Sequence, residues 1–350
     1  MTNICSDSEE DELRPRSAKT SVDLSNSQWP IHIPNCEDDT RTHVVVELFN
    51  TEKSYIESLQ TIVIKYANPL RQPESATLVD IQMVDEIFYM VPSILSIHEK
   101  FLEELGKRLE DWDPLQRIGD AYFDVFSNPK VLETYTAFVN NWNKAKDAIR
   151  TTKATKPGFA KFLETMAREH KGKLSLDNLL IKIIQKFPNY ELMFQRLIKH
   201  TDAEHPDYSG CSDSLKLVHN ILVHLNCKER EALENGQREA TLRELENVIE
   251  GISDLVTNDR TILRFELVSM PSGQAGRKER GLFLFNDLLV ITSIKKRSGA
   301  TRKPNSMPGS FTSTLDTNKY KFLTRISLED LEIVKSTLDA TDAVFISGVV

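Results

Sequence analysis

From about Asp39 to Val256 apolar residues recur at threes and fours, and after Asn258 they recur at twos. That single change of period restricts the chain to a helical unit followed by a strand unit, because side chains line one helix face every 3.6 residues and one strand face every two. The helical part is punctuated at Pro69 to Pro73, Pro114, Pro129, Pro157-Gly158 and His205-Pro206-Asp207, where proline removes a backbone donor. We expect an elongated all-α helical bundle over residues 39–230. Leu242, Leu245, Ile249, Ile252 and Val256 keep helical spacing beyond it, so residues 231–258 should continue the last helix as a stiff arm.

The strand part supplies ILRFELVSM, then RGLFLF and LLVITSI around a tight turn at Asn286-Asp287, then KYKFLTRIS, LEIVKS and DAVFISG. Between the third and fourth runs lies SGATRKPNSMPGSFTSTLDTN, a composition of loops. The expectation is a partial antiparallel β barrel over residues 259–350. The sequence ends at GVV with no helix to plug that barrel, which suggests a fragment whose β unit is incomplete. Residues 1–38 are polar and serine-rich with an acidic block at Ser8 to Glu12, too poor in apolar surface to order themselves.

Composition narrows the chemistry. A formal net charge of -8 over 350 residues argues against nucleic acid as a partner, since that affinity rests on cations displacing counterions. Cys5, Cys36, Cys211 and Cys227 form no CxxC pair, so neither a zinc site nor a disulfide framework is indicated, and the usage suits a cytoplasmic protein. No apolar run approaches a membrane span and no signal-peptide pattern opens the chain. HExxH, GxxxxGK[ST] and GxSxG are all absent. Nothing in the sequence calls for a cofactor, a metal or bond-making catalysis.

One residue resists a purely structural reading. Val45, Leu48, Tyr55, Leu59, Ile62 and Tyr66 share a narrow helical stripe, and Glu52 lies on it. A carboxylate buried there costs several kcal/mol, about what any unpaired charge does, unless something pairs with it. A second distinctive run, LDNLLIKIIQKFPNYELMFQRLIKHTDAEHPD at Leu176 to Asp207, clusters Leu180, Ile184, Phe187, Glu191 and Phe194 on one face and aims Lys182 away from it, with a kink expected at Pro188.

That run resembles the third conserved region of the Dbl-homology (DH) domain of Rho-family guanine nucleotide exchange factors. ELFNTEKSYIESLQTIVIKYANPL, at Glu47 to Leu70, is similar to the first region of the same family, and YTAFVNNWNKAKDAI followed by FAKFLETM to the middle one. KERGLFLFNDLLVIT resembles the start of the pleckstrin-homology (PH) domain that follows DH in this family.

The resemblance implies a regulatory exchange factor that stimulates GDP release from a Rho-family GTPase, RhoA-like by preference, and links it to the actin cytoskeleton. Glu52 would contact switch I, and Lys182 and Asn226 switch II, with Lys186 and Tyr190 in the same interface. Ile183, Lys186 and Asn189 stand where the family pattern has proline, arginine and arginine, so a catalytically weak or inactive DH-PH scaffold is the alternative; a membrane-shaping helical protein is disfavoured by helix faces of mixed sign. Arg277, Lys278 and Arg280 before the LFLF strand, with Lys295, Lys296 and Arg297 after LLVITSI, form a candidate site for phosphoinositide headgroups or another anionic membrane lipid. The implied location is the cytoplasm, with peripheral attachment at the plasma membrane.

Overall fold

The computed structural model describes residues 39–110, 112–170, 172–272, 276–295, 319–335 and 344–348. The segment 1–38, expected to be disordered, and the Ser/Thr/Pro/Gly-rich stretch at 298–318 lie outside these.

Asp39 caps the first helix by accepting from the Arg41 N–H at 3.0 Å. Helix α1 (Thr40–Thr61) then runs into a π-helical turn at Ile62–Ala67 and a short turn α2 (Asn68–Leu70). Six further helices build the bundle: α3 (Ile81–Ile87), α4 (Val91–Leu109), α5 (Gly119–Phe126), α6 (Pro129–Thr155), α7 (Pro157–Glu169) and α8 (Leu176–Lys199). Local chemistry sets several of the starts. Asn128 accepts from the Lys130 N–H with Pro129 at the first helical position, and Ser175 accepts from the Asn178 N–H. Helix α8 is continuous with Pro188 inside it. The apolar stripe read from the sequence is the core: Val45, Leu48, Tyr55, Leu59, Ile62 and Tyr66 are all buried and join one cluster with Phe187, Tyr190 and Phe194 of α8.

The last helix, α9 (Tyr208–Val248), has 41 residues, about 60 Å at the usual rise. Its first half closes the bundle and its end enters a different core. There Leu242 and Leu245 pack with Ile249, Leu255, Phe283, Phe285, Leu288, Val290 and Tyr320. The chain passes from α9 straight into β1 (Ile249–Glu250), which pairs in parallel with β5 (Lys319–Ser327) through Ile249↔Tyr320. With β2 (Ile262–Ser272), β3 (Gly276–Phe285) and β4 (Leu288–Lys295) the sheet order is β1-β5-β4-β3-β2. Strands β6 (Leu331–Lys335) and β7 (Val344–Gly348) form a separate antiparallel pair. The sheet is therefore not closed among the described residues, and it is not wholly antiparallel as expected. The parallel pair arises because the end of α9 reaches the free edge of β5, where backbone groups need partners.

A second buried charge fixes how the bundle ends meet. The Arg41 guanidinium donates to Asp207 Oδ2 at 2.8 Å and to the carbonyls of Pro114 at 3.0 Å and Gln116 at 2.8 Å. Asp207 also accepts from the backbone N–H groups of Ile118 and Gly119 at 3.0 and 2.9 Å. Start of α1, start of α5 and start of α9 are thereby tied at one point. The helices cross so closely there that a Cβ on Gly119 would stand 2.3 Å from the Gly210 carbonyl carbon. Removing the cation strands a buried carboxylate, so Arg41→Ala should destabilise the helical unit by about 3–5 kcal/mol. Urea unfolding followed by circular dichroism would measure it, and a loss under about 1 kcal/mol would refute the tie, that being the range of exposed pairs.

Candidate functional site

Helices α1 and α8 lie antiparallel, joined by three polar contacts at different depths. Near one end Glu47 pairs with Arg196 at 2.6 Å, both half-exposed. In the middle Glu52 meets Lys186 and Tyr190. At the other end Lys182 Nζ donates to Ser58 Oγ at 2.8 Å. Over this seam lies an open groove of about 610 Å³ lined by Glu47, Asn50, Thr51, Ser54, Lys182, Gln185 and Asn189, with Tyr55 and Lys186 beneath.

The surface around the groove follows helical spacing. Lys182, Gln185, Asn189, Leu192 and Arg196 share a face of α8, and Leu192 is 67% exposed. On α9 the outward stripe is His219, Val223 and Asn226, and His219 Nδ1 meets Glu191 of α8 at 2.7 Å. The exposed stripes of α8 and α9 are mixed in charge, with apolar Leu192 and Val223 on them.

The expected site residues divide between those stripes and the core behind them. Lys182 and Asn226 are on the stripes, Lys182 half-buried and Asn226 exposed. Glu52, Lys186 and Tyr190 are not. Their exposures are 0%, 3% and 0%, so the direct partner contacts expected of them are closed by their own helices. Glu52 sits on the apolar stripe as the spacing required, but its partners are intramolecular. Its Oε1 accepts from His98 Nδ1 of α4 at 2.5 Å, and its Oε2 lies 2.8 Å from Lys186 Nζ and accepts from the Tyr190 hydroxyl. The Lys186 ammonium also lies 4.6 and 4.4 Å from the ring centres of Tyr55 and Tyr190, a cation–π arrangement.

A carboxylate only accepts, so His98 Nδ1 carries a proton. His98 Nε2 shares a hydrogen bond with the Tyr135 hydroxyl at 2.7 Å, which shares another with the Tyr55 hydroxyl at 3.0 Å. Every polar group in that chain is satisfied. Burial opposes the Glu52 charge, but Lys186 and His98 outweigh it and hold the carboxyl at about 2. Burial depresses the Lys186 ammonium against the pull of Glu52, and lifts the Tyr190 hydroxyl well above its usual range.

Two residues escaped the sequence reading. His98 lies one turn from Ile94 and Phe101 on the buried face of α4, and a polar residue at core spacing was the signal available. Glu47 stands five positions before Glu52, hence about 140° round the helix, which places it on the groove side. In the β unit, Arg277 and Lys278 are exposed on β3 and Arg280 is half-buried. The register pairs Arg280 with Ser293, so Lys278 and Lys295, two residues further on each strand, share the open end of the hairpin. Lys296 and Arg297 lie outside the described residues.

Residues 44–226 match the RhoGEF domain, and residues 226–348 match a PH domain. The chain belongs to the RhoGEF family. It is 39% identical over 305 residues to mouse Rho guanine nucleotide exchange factor 17, covering 87% of this chain and 15% of that protein. It is 37% identical over 298 residues to Caenorhabditis elegans Rho guanine nucleotide exchange factor osg-1, covering 85% of this chain and 24% of the relative. The chain therefore spans less than a quarter of these relatives' lengths. Its fold is similar to the DH/PH domains of PDZ-RhoGEF crystallised with activated RhoA, with a TM-score of 0.57 at 19% identity over 90% of this chain and 87% of that one. It is also similar to autoinhibited Vav1, with a TM-score of 0.59 at 18% identity over 91% and 54%. This RhoGEF chain is thus a helical DH region followed by a PH-like sheet, with the α1/α8 groove on the DH region.

The charge state of Glu52 has a consequence in acid. Its folded pKa lies below its ordinary value of 4.5, so its contribution is fully present above that value and is lost as pH falls toward 2. The linked free energy of a shift from 4.5 to about 2 is about 3 kcal/mol. The helical unit should lose that much between pH 4.5 and 2, measured by urea titrations, while Glu52→Gln starts less stable and shows a shallower slope. Equal slopes in both proteins would rule Glu52 out as the acid-sensitive group.

Proposed function

We propose that this chain is a guanine nucleotide exchange factor for a Rho-family GTPase, with RhoA as the first substrate to test. It performs no covalent step. GTPases hold GDP through the phosphate loop, Mg²⁺ and ordered switch segments. A protein that binds the nucleotide-free form more tightly than the GDP form must weaken GDP by the same factor. The observation that carries the reading is the α1/α8 groove, where Glu47 and Lys182 line the surface of two packed helices, with Asn226 exposed on α9.

In this reading the switch I contact belongs to Glu47, the exposed glutamate of ELFNTE, and no longer to Glu52. Lys182 and Asn226 hold switch II, and Leu192 and Val223 supply apolar contact at its edge. Lys186 and Tyr190 act from beneath through Glu52. Asn189 is exposed in the groove, so its departure from the family pattern bears on the partner contact itself, whereas that of Lys186 is internal. The PDZ-RhoGEF complex with RhoA supports this class of partner.

The test is release of a fluorescent GDP analogue from RhoA, and from a GTPase of the Rac subgroup, on adding the 350-residue chain. RhoA release should accelerate, and Lys182→Ala and Glu47→Ala should each cost about tenfold or more, the scale of interactions that couple two binding equilibria. No acceleration of either GTPase by folded protein would refute the reading and favour a scaffold.

We further propose that Arg277, Lys278, Arg280 and Lys295 bring the PH region to an anionic membrane, so that the protein works at the cytoplasmic face of the plasma membrane. Charges near an anionic surface contribute about 1 kcal/mol each. Sedimentation with vesicles containing phosphoinositide should therefore fall several-fold in Arg277→Ala/Lys278→Ala, and equal sedimentation of both proteins would exclude these residues.

A further inference from the structure

We propose that Glu52 is a positioning residue for exchange, which keeps the groove open and correctly charged by holding Lys186 beneath it. This deepens the exchange reading and rests on it.

Glu52 joins three helices at one buried point: α1 by its own backbone, α4 through His98 and α8 through Lys186 and Tyr190. It lies between the Glu47–Arg196 and Lys182–Ser58 contacts along the same seam. The spacing of the two groups offered to the partner is therefore set on either side of it. Lys186 is the telling member. Its side chain is 3% exposed beside Glu52, and the groove it underlies is where its ammonium would meet water. With the carboxylate neutralised, an unpaired ammonium in the core becomes intolerable, and a lysine stem is long enough to swing its head to solvent. It would rise into the groove beside Lys182 and put a second cation where the partner docks. His98 supports the carboxylate from the other side, with its own orientation fixed by Tyr135 and Tyr55. The ionisable groups around this cluster are Tyr55 on α1, Tyr122 on α5, Tyr135 on α6 and Lys186 and Tyr190 on α8, besides His98.

Exchange rates measured against rising concentration of the chain separate the maximal rate from the half-saturating concentration. A variant that only unfolds part of the population needs more protein but reaches the same maximal rate. Glu52→Gln should lower the maximal rate itself by about tenfold or more, as expected when positioned groups move by an ångström. A double variant, Glu52→Gln with Lys186→Met, removes the stranded ammonium and should recover thermal stability and most of the maximal rate. His98→Asn keeps a donor near the Nδ1 position and should retain activity within about threefold, whereas His98→Gln, with its donor near Nε2, should not.

If wild type is active and Glu52→Gln keeps its maximal rate, the positioning role is refuted while exchange stands. If the double variant regains stability without regaining rate, Lys186 is not the agent and the proposal is overturned. A wild-type chain that accelerates no GTPase would overturn the exchange reading, and this inference with it.

Discussion

The helical unit depends on a carboxylate kept charged in an apolar core. Glu52 faces two opposing costs: burial favours its neutral form, and neutralising it would strand Lys186. The balance falls toward the ionised pair because one lysine, one histidine and one tyrosine converge on two oxygens. A lone buried ion pair contributes little to stability. A buried network of several partners contributes specificity, because it admits one relative setting of α1, α4 and α8. The groove over α1 and α8 is the outer side of that same seam, so its geometry inherits the precision of the network beneath.

The second organising feature is that α9 belongs to both units. Its first half closes the bundle beside α5 and α8, and its last turns enter the core of the sheet through Leu242 and Leu245. Ile249 continues directly into a strand paired with β5. A helix with packed ends transmits orientation, which makes the position of the PH sheet relative to the helical bundle a property of helix length. Gly236 lies on the intervening stretch with open space around its Cα, the one point there where backbone stiffness is reduced by composition.

Much of this was legible in advance, and for identifiable reasons. Period 3.6 followed by period 2 fixed the order of helical and strand units, and the buried stripe of α1 was read residue by residue because amphipathic spacing directly reports which side faces the core. The strand runs matched because β-branched and aromatic residues cluster between turn residues. The parallel contact of β1 with β5 was not legible: two residues carry no periodicity, and the pair exists only because α9 ends beside an open edge. The outward direction of Lys182 was legible from periodicity, because it lies opposite the apolar face of α8.

The sequence by itself determined that Glu52 lies on the core side of its helix and needs a partner. Tertiary structure alone decided who that partner is. His98 is 46 positions away and Tyr190 is 138, and no local pattern links them, because the contact is made by three helices crossing rather than by one helix turning. The same limit explains why the burial of Glu52 behind its own helices was not legible in ELFNTE. Periodicity tells inside from outside, but whether the inside charge is answered by the protein or by a partner depends on side chains that only folding brings within reach.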